Sequence, residues 1–440
     1  MGSIVADRLN YGIMNDSHFN PSGGFTLLFA LALLANLLLK FWLASRQIRH
    51  VANHRGAVPQ AFSQSISLDA HQKAADYTIA KTQLGFFELA WGAATVLGWT
   101  LLGGLSALNQ GLHLWIAPGL LQQVSLLVAF TLINGLIDLP FSLYGTFVLE
   151  ERFGFNKTTR MQWVKDLFQS TALGMVIGAP LAALVVWMMG ASGPAWWIWT
   201  WGIWVAFNAL AMWVYPTWIA PLFNTFEPLK DEQLKSRVSE LMQRCGFQAQ
   251  GFYVMDGSKR SAHANAYFTG FGSAKRVVFY DTLLARLAPA EIDAVLAHEI
   301  GHFKHRHILK RLASAFVMSL LGFAVLGWFS TQAWFYTGLG VAPNMLIAND
   351  ALALVLFLIA LPLFTGFLGP LFAQISRQHE FEADHYAVDK TNASDLASAL
   401  LKLYQDNAST LTPDPLYVKF YYSHPPASER LARMQMAAAT

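Results

Sequence analysis

Long apolar stretches constrain this chain more than any other feature of its sequence. A helix needs about 20 mainly apolar residues to cross the hydrocarbon core of a bilayer, and the chain offers several such stretches among its 440 residues. Only 13% of the residues are charged and 54% are hydrophobic, which is too apolar for an ordinary soluble enzyme. We therefore predict an integral membrane protein. The predicted spans are 24–44, 87–107, 120–140, 171–189, 195–215, 311–333 and 351–373.

The distribution of basic residues predicts the orientation. Seven spans place the two termini on opposite sides, and Lys and Arg collect in cytoplasmic segments. With the N-terminus outside, the outer segments contain one basic residue, Arg8; these segments are 1–23, 108–119, 190–194 and 334–350. We expect a cytoplasmic C-terminus and no cleavable signal peptide. Residues Met434–Thr440 carry no endoplasmic-reticulum retrieval signal, so we expect a bacterial inner membrane, or the endoplasmic reticulum membrane for a eukaryotic chain.

The same segmentation predicts the domain organisation. We expect an N-terminal membrane block of five helices at 1–215, a cytoplasmic catalytic insert at 216–310, a transmembrane hairpin at 311–373 and a cytoplasmic tail at 374–440. Periodicity in the insert predicts a small α+β unit. Its predicted elements are a helix at Glu232–Cys245, a strand at Gly251–Met255, and a hairpin of Ala264–Thr269 and Arg276–Tyr280 around the turn Gly270–Ser273.

The run His298-Glu299-Ile300-Gly301-His302 carries the chemistry. Pro289 and Glu291 predict a helix that begins before it. On a helix the two histidines leave the same face one turn apart and can share one zinc ion, with Glu299 beside it as a general base. The sequence therefore predicts a metallopeptidase that binds one Zn²⁺ per chain.

A third ligand is expected from the segment Gln378–His385. Cys245 is the only cysteine, so a cysteine-based zinc site is excluded. The hairpin 311–373 returns the chain to the side it left, which brings this segment near the first two ligands. On a helix Glu380 and Asp384 share one face, and Glu382 lies on another. We predict Glu380 as the third ligand and Asp384 as the acceptor of a ligand imidazole N–H.

Other ionisable residues are interpreted more plainly. His305 and His307, in Lys304–His307, are expected on a solvated basic face near the membrane rather than at a second metal. His263, His379 and His385 are expected to make local hydrogen bonds. Glu88 and Asp138 fall near span ends, where they line a polar chamber or lie at the interface. The net charge of +3 without a clustered basic helix excludes a nucleic-acid partner.

In these and further motifs the chain resembles a known family, the type I CAAX prenyl endopeptidases, which are integral-membrane zinc proteases. The resemblance rests on an ordered set of motifs across most of the sequence. These are Leu149–Asn156, Tyr215-Pro216, Ile219–Asn224, Ser261–Phe268, His298–His302, Glu380–Asp384, Ser423–Pro426 and Glu429–Leu431.

The resemblance implies a mainly α membrane protein in which seven helices enclose a chamber, with a small gluzincin-like α+β protease domain on the cytoplasmic side. It implies that Asn265 and His424 contact the peptide or the developing oxyanion, and that Arg430 orients that region. The strand around Asn265 is then expected to pair edgewise with an extended substrate.

We thus predict a zinc metalloendopeptidase that cleaves near the C-terminus of membrane-associated or prenylated proteins. One alternative within the enzyme class is quality-control proteolysis of membrane proteins. A second is a transporter or scaffold with a structural metal site, although such a site has no need of Glu299 beside an open metal position. The expected partners are a peptide or lipidated protein and the lipid bilayer, and the oligomeric state is left open.

Overall fold

The structure is a computed structural model that describes residues 20–269, 274–344 and 347–439. Arg8, the region of the signal-peptide expectation and the turn Gly270–Ser273 lie outside these ranges. In the first half of the chain the helices are α1 Pro21–His54, α2 Leu68–Trp99, α3 Gly104–His113, α4 Leu120–Tyr144, α5 Arg160–Ala191 and α6 Trp196–Val214. π-Helical turns extend α4 through Gly145–Glu150 and α6 through Tyr215–Ile219, and Ala220–Phe223 continues the latter.

The second half contains the sheet and eight further helices among the described residues. The strands are β1 Phe226–Pro228, β2 Gln248–Met255, β3 Ala266–Thr269 and β4 Ala274–Tyr280. The helices are α7 Glu232–Arg244, α8 Pro289–Lys304, α9 His307–Phe329, α10 Asp350–Thr365, α11 Gly369–Lys390, α12 Ala393–Asp406, α13 Pro415–Tyr421 and α14 Ala427–Ala439. Short helical turns occur at Gln60–Phe62, Gly193–Ala195, Gly257–Lys259, Asp281–Leu284, Ala333–Gly338 and Gly366–Leu368.

Six helices of the described chain are long and apolar enough to cross a membrane. α2 and α3, which are bent by 48° at the break between them, meet the same criterion together and give a seventh span if they are counted as one. The break falls inside the predicted span 87–107. Gly103 adopts a left-handed φ of 82° there, and a Cβ on Gly104 would lie 2.6 Å from the carbonyl oxygen of Gly98. With this pair counted once, the predicted seven spans are confirmed.

The predicted small α+β unit is confirmed. Its sheet has the order β1-β2-β4-β3. β2 and β4 are parallel, whereas β3 and β4 form the predicted antiparallel hairpin, with Ala266 opposite Phe279. The predicted strand at Gly251–Met255 is longer, since β2 begins at Gln248, and Cys245 caps the C-terminus of α7. β3 is an edge strand, and one of its sides has no strand partner among the described residues.

Two hydrophobic cores position the site. One joins α1, α4 and α10 with the segment 333–341. The other joins the sheet to α7, α8, α12 and α14 around buried side chains such as Phe279 and Leu296. The N-terminus of α8 is fixed further by Glu291, which accepts hydrogen bonds from the backbone N–H of Ala288 and from Ser398 and Lys402 of α12. α8 is therefore held from several directions.

Candidate active site

Two helices build the site, and they meet where both have small residues. A Cβ on Gly301 of α8 would lie 3.0 Å from the Cα of Ala383 of α11. This close approach places the face of α8 that carries His298 and His302 against the face of α11 that carries Glu380. Gly301 is therefore required for helix packing. The sequence interpretation did not use it, although a glycine between the two histidines was the available signal.

The side chains of three residues form a triangle at this crossing. The Nε2 atoms of His298 and His302 are 3.3 Å apart. Glu380 Oε2 lies 3.5 Å from His298 Nε2, and Glu380 Oε1 lies 3.4 Å from His302 Nε2. Two ligands that bind one zinc ion at about 2.0–2.1 Å with tetrahedral angles are about 3.3–3.4 Å apart. The contacts among the three predicted ligands are thus close to the spacing that a tetrahedral ion requires.

Burial of the same atoms also fits a metal. Glu380 is 3% exposed, and its Oε2 has no hydrogen-bond partner among the described residues. An orphaned buried carboxylate oxygen is costly unless a cation or donor completes it. Burial lowers the pKa of His302 to about 3, which makes it a neutral imidazole with a free lone pair. The described residues His298, His302 and Glu380 are therefore suited to hold one divalent ion.

His298 is supported from behind by a buried ion pair. Its Nδ1 lies 2.9 Å from Asp384 Oδ1. Arg430 of α14 donates to both oxygens of Asp384, at 2.5 and 2.8 Å, and all three residues are at most 8% exposed. Burial lowers the pKa of His298, but the carboxylates of Asp384 and Glu380 outweigh it and raise the pKa to about 9. Both oxygens of Asp384 are thus committed, one to the histidine and both to the guanidinium.

Glu299 faces open space beside the triangle. It lines a cavity of about 1000 Å³ together with His298, His302, Glu380 and His424. Burial raises the pKa of Glu299 above its ordinary value. A carboxylate of raised basicity that lines a cavity next to the ligands is placed to take a proton from water and to return it.

His424 lies on the open side of the site. Its Nε2 is 3.5 Å from Glu380 Oε1, and 64% of its side chain is exposed. Ser423 Oγ and His424 Nδ1 are 2.9 Å apart. His424 also lines a second cavity of about 940 Å³, which contains Tyr77 and His263. His424 therefore stands between two spaces, each large enough for several residues of a peptide.

Asn265 lies at the entrance to β3 and is exposed. Its side-chain oxygen accepts from the backbone N–H of Ala266 at 2.8 Å. The next residues, Tyr267 and Phe268, line the 1000 Å³ cavity. The edge strand thus borders the site, and the contact of Asn265 with substrate stays a prediction.

The expectation that His307 lies on a solvated basic face is wrong. Lys304, His305 and Arg306 are exposed, but His307 is 1% exposed. Its Nδ1 lies 3.0 Å from Nδ1 of His302, and its Nε2 lies 2.9 Å from Glu382 Oε2. The reason is a break between α8 and α9, where Arg306 takes a left-handed φ of 57° and folds His307 back onto His302.

Among the remaining ionisable residues, His263 makes the expected hydrogen bond, and the expectation for His385 stays a prediction. His263 Nδ1 is 3.0 Å from the side-chain oxygen of Asn407, and its ring stacks on Phe155. Glu88 and Asp138 line a cavity of about 490 Å³ between the helices, which agrees with the chamber-lining alternative. His379 instead stacks on His307, with ring centres 4.0 Å apart.

Comparison with known proteins places these features in context. Residues 47–225 match the family model "CAAX prenyl protease N-terminal, five membrane helices", and residues 228–438 match peptidase family M48. CAAX prenyl protease 1 of Saccharomyces cerevisiae is 31% identical over 424 residues, which cover 91% of this chain and 93% of that protein. A CAAX prenyl protease 1 homolog of Arabidopsis thaliana is 37% identical over 318 residues, 71% of this chain and 73% of that protein.

A solved structure is similar over almost its whole length. The crystal structure of S. mikatae Ste24p superposes with a TM-score of 0.87 at 30% sequence identity. The match covers 93% of this chain and 99% of that one. The similarity therefore includes both the membrane helices and the domain that carries His298, His302 and Glu380.

Proposed function

Because this chain belongs to the CAAX prenyl protease 1 family of M48 metallopeptidases and is an integral-membrane metalloendopeptidase, we propose that it uses zinc to cleave prenylated proteins near their C-termini. The observation that carries the proposal is the triangle of His298, His302 and Glu380 with Glu299 beside it in one cavity. The names of the relatives refer to prenylated CAAX substrates. The residues of this site suit hydrolysis of a peptide bond in such a substrate.

We assign the metal to His298 Nε2, His302 Nε2 and a carboxylate oxygen of Glu380. When bound, zinc supplies a Lewis acid that makes a water molecule nucleophilic near neutral pH and polarises the scissile carbonyl. The spacing of 3.3–3.5 Å among these atoms supports one ion per chain. Asp384 and Arg430 hold His298 in orientation from the opposite side.

Glu299 carries the protons of the reaction in this proposal. As a carboxylate it accepts a proton from the attacking water, and as a carboxylic acid it returns that proton to the leaving amine. The burial that raises its pKa brings its basicity closer to neutrality. The protonated ring of His424, or its neutral N–H, donates to the developing oxyanion, because Nε2 of this ring lies beside Glu380 at the open side of the site.

The substrate backbone is assigned to the free side of β3. An extended peptide added to this edge would run past Tyr267 and Phe268 toward the ligands. We place the prenyl chain against the apolar part of the same cavity, which is lined by Met318, Phe372 and Phe420. A peptide so placed has space on both sides of His424, as an endopeptidase requires.

The arrangement in the membrane is proposed from the sequence. We place the N-terminus outside and the C-terminus in the cytoplasm, with the catalytic insert 216–310 and the tail 374–440 on the cytoplasmic side. α9 and α10 form the hairpin between them. The membrane itself, a bacterial inner membrane or the endoplasmic reticulum, depends on the source of the chain.

The test is cleavage of a farnesylated CAAX peptide by the purified full chain in detergent, read by mass spectrometry. Glu299→Gln should retain zinc and lose about 10²–10⁴-fold in turnover, because only the base is removed. Glu240→Gln is the matched control, since Glu240 is an exposed glutamate of α7. We expect wild type and the control to release the three residues that follow the prenylated cysteine. We expect Glu299→Gln not to release them at equal zinc content.

The same peptide without its prenyl group separates the two enzymatic alternatives. Equal cleavage of both peptides would contradict prenyl-protein processing and favour the quality-control function. Zinc bound by wild type without cleavage of either peptide would contradict the proposed activity altogether.

A further inference from the structure

The two ligand histidines each have a second ring nitrogen, and that of His302 has an unusual neighbour. His302 Nε2 belongs to the ligand triangle. Its Nδ1 lies 3.0 Å from Nδ1 of His307, and His307 Nε2 lies 2.9 Å from Glu382 Oε2. Three side chains are thus connected in series behind the ligand. We refer to them as the His302–His307–Glu382 chain.

The positions of the protons in the His302–His307–Glu382 chain follow from one property of imidazole. A neutral imidazole has one N–H and one lone pair, and a metal uses the lone pair. His302 that binds zinc through Nε2 must therefore have its proton on Nδ1, where it donates to Nδ1 of His307. His307 then has its own proton on Nε2 and donates it to the carboxylate of Glu382. Each contact has one donor and one acceptor.

We propose that His307 and Glu382 are positioning residues, which hold His302 in the tautomer and ring orientation that bind zinc through Nε2. The proposal rests on the proposed function only in that His302 is a zinc ligand. A carboxylate behind a ligand histidine also increases the basicity of the imidazole. Asp384 does this for His298 in one step, and Glu382 does it for His302 through His307.

A break in the helix makes the contact between His302 and His307 possible. In an uninterrupted helix, residues five apart point about 140° away from each other, so His302 and His307 could not meet. The left-handed conformation of Arg306 breaks the helix between Lys304 and His307. Such a conformation is unfavourable for a non-glycine residue, and here it accompanies the buried contact of His307 with His302.

His307 is also held by its neighbours on both sides. The ring of His379 stacks on it at 4.0 Å with an angle of 12° between the planes, and the ring of His305 lies 5.5 Å away at 14°. His307 is the first residue of α9 and is 1% exposed. Its ring therefore has little freedom to turn away from His302.

A second metal is the competing explanation of this cluster. His305, His307 and Glu382 each offer one ligand atom, and these atoms lie within 4.8 Å of one another. A metal on His307 Nε2 would force the proton of that ring onto Nδ1, where it would face the Nδ1–H of His302. It would also replace the hydrogen bond to Glu382. A metal bound through His307 Nε2 would thus break the pattern of one donor and one acceptor at each contact behind His302.

The experiment measures zinc affinity of the purified full chain in detergent by competition with a chelator. His307→Leu interrupts the His302–His307–Glu382 chain and should lower zinc affinity by about 10–100-fold. His307→Gln, whose amide has one acceptor and a donor, should recover part of that loss. Glu382→Gln should weaken affinity less than His307→Leu. His385→Leu, a change of an exposed histidine of α11, is the matched control and should leave affinity unchanged.

A second readout separates positioning from general support of the fold. The unfolding temperature of the metal-free protein should be the same for wild type and His307→Gln, while the increase in that temperature upon addition of zinc should shrink with the loss of affinity. If His307 only supports the fold, its substitution should lower the unfolding temperature both without and with zinc and should leave the zinc affinity unchanged. Equal zinc affinity of wild type and His307→Leu would overturn the proposal.

The remaining outcomes are equally decisive. Two zinc ions per chain, reduced to one by His305→Asn, would overturn the proposal in favour of the second metal. His302→Ala is the reference for the zinc site itself. If His302→Ala has wild-type affinity, the ligand assignment under the proposed function fails, and that failure is distinct from a failure of His307→Leu alone.

Discussion

The two histidines proposed as ligands stand one turn apart on α8, yet their Nδ1 atoms are supported in different ways. His298 contacts Asp384 directly, inside a core where Arg430 is 7% exposed. His302 reaches Glu382 through His307, and the side chain of Glu382 is 34% exposed. The same chemical requirement is therefore met by a buried ion pair on one side and by a partly hydrated relay on the other.

The difference teaches how tightly each side is linked to the fold. A buried charge that loses its partner destabilises the whole protein, whereas a carboxylate in contact with water can be changed with little effect on stability. The His298 side should thus couple metal binding to folding. The His302 side should adjust metal binding without affecting folding.

The largest effect is expected from Arg430→Met, which leaves Asp384 buried without its cation. Removal of one partner of a buried pair costs about 3–5 kcal/mol, so the unfolding temperature in detergent should fall strongly even without zinc. Arg433→Met is the matched control on the same helix, because Arg433 is exposed and stacks over Phe381. Equal loss in both variants would remove the distinction between the two sides.

A smaller effect is expected from Gly301→Ala, which acts on both sides at once. The new Cβ would lie 3.0 Å from Ala383 Cα, and overpacking of this kind costs about 1–3 kcal/mol. Zinc affinity should fall with stability, because a larger separation of α8 and α11 changes the distances from Glu380 to both histidines. Gly322→Ala of α9 is the control, where a Cβ meets nothing within 4 Å. Unchanged zinc affinity in Gly301→Ala would contradict this account of the crossing.

Asp384→Asn sharpens the comparison with the Glu382 side. The amide oxygen can still accept from His298, but the charge is lost, so zinc affinity should fall about 10–100-fold. The metal-free protein should also unfold at a lower temperature, because Arg430 loses its charged partner. Asp389→Asn, a change of an exposed aspartate on the same helix, should do neither. If Asp384→Asn leaves the metal-free protein as stable as wild type, the His298 side is not coupled to folding.

The smallest effect is expected from His379→Phe. The phenyl ring preserves the stacking on His307, so zinc affinity should change by less than about twofold. Chelator competition measures this directly. A tenfold loss would show that His379 contributes its nitrogen atoms to the relay and not only its ring.

The membrane helices, the small sheet and the helix of His298 were predictable because their signals are local. Hydropathy over a span, the run of β-branched and aromatic residues in the strand β4 and the spacing of His298 and His302 each require only neighbouring residues. Glu380 could be placed near them because the hairpin 311–373 returns the chain to one side. The role of Glu380 as a ligand stays a prediction, and so does the role of Glu299 as a general base.

The burial of His307 could not be predicted from the sequence. Lys304, His305 and Arg306 are exposed as expected, and nothing in the composition of this segment marks the next residue as different. The outcome depends on one left-handed residue, Arg306, whose side chain carries no turn signal. The close approach at Gly301 and the bend near Gly103 likewise depend on partners distant in sequence or on a single backbone angle.

His307 is the first residue of α9, so we expect its position to depend on how that helix fits the thickness of the bilayer. α9 has 23 residues, a length of about 35 Å, which is slightly more than a hydrocarbon layer of about 30 Å. A membrane helix adjusts to the thickness of the layer by changing its tilt, and we expect such a change in α9 to move the end of the helix where His307 lies. Lipid chain length is then expected to affect how His302 is presented to its ion.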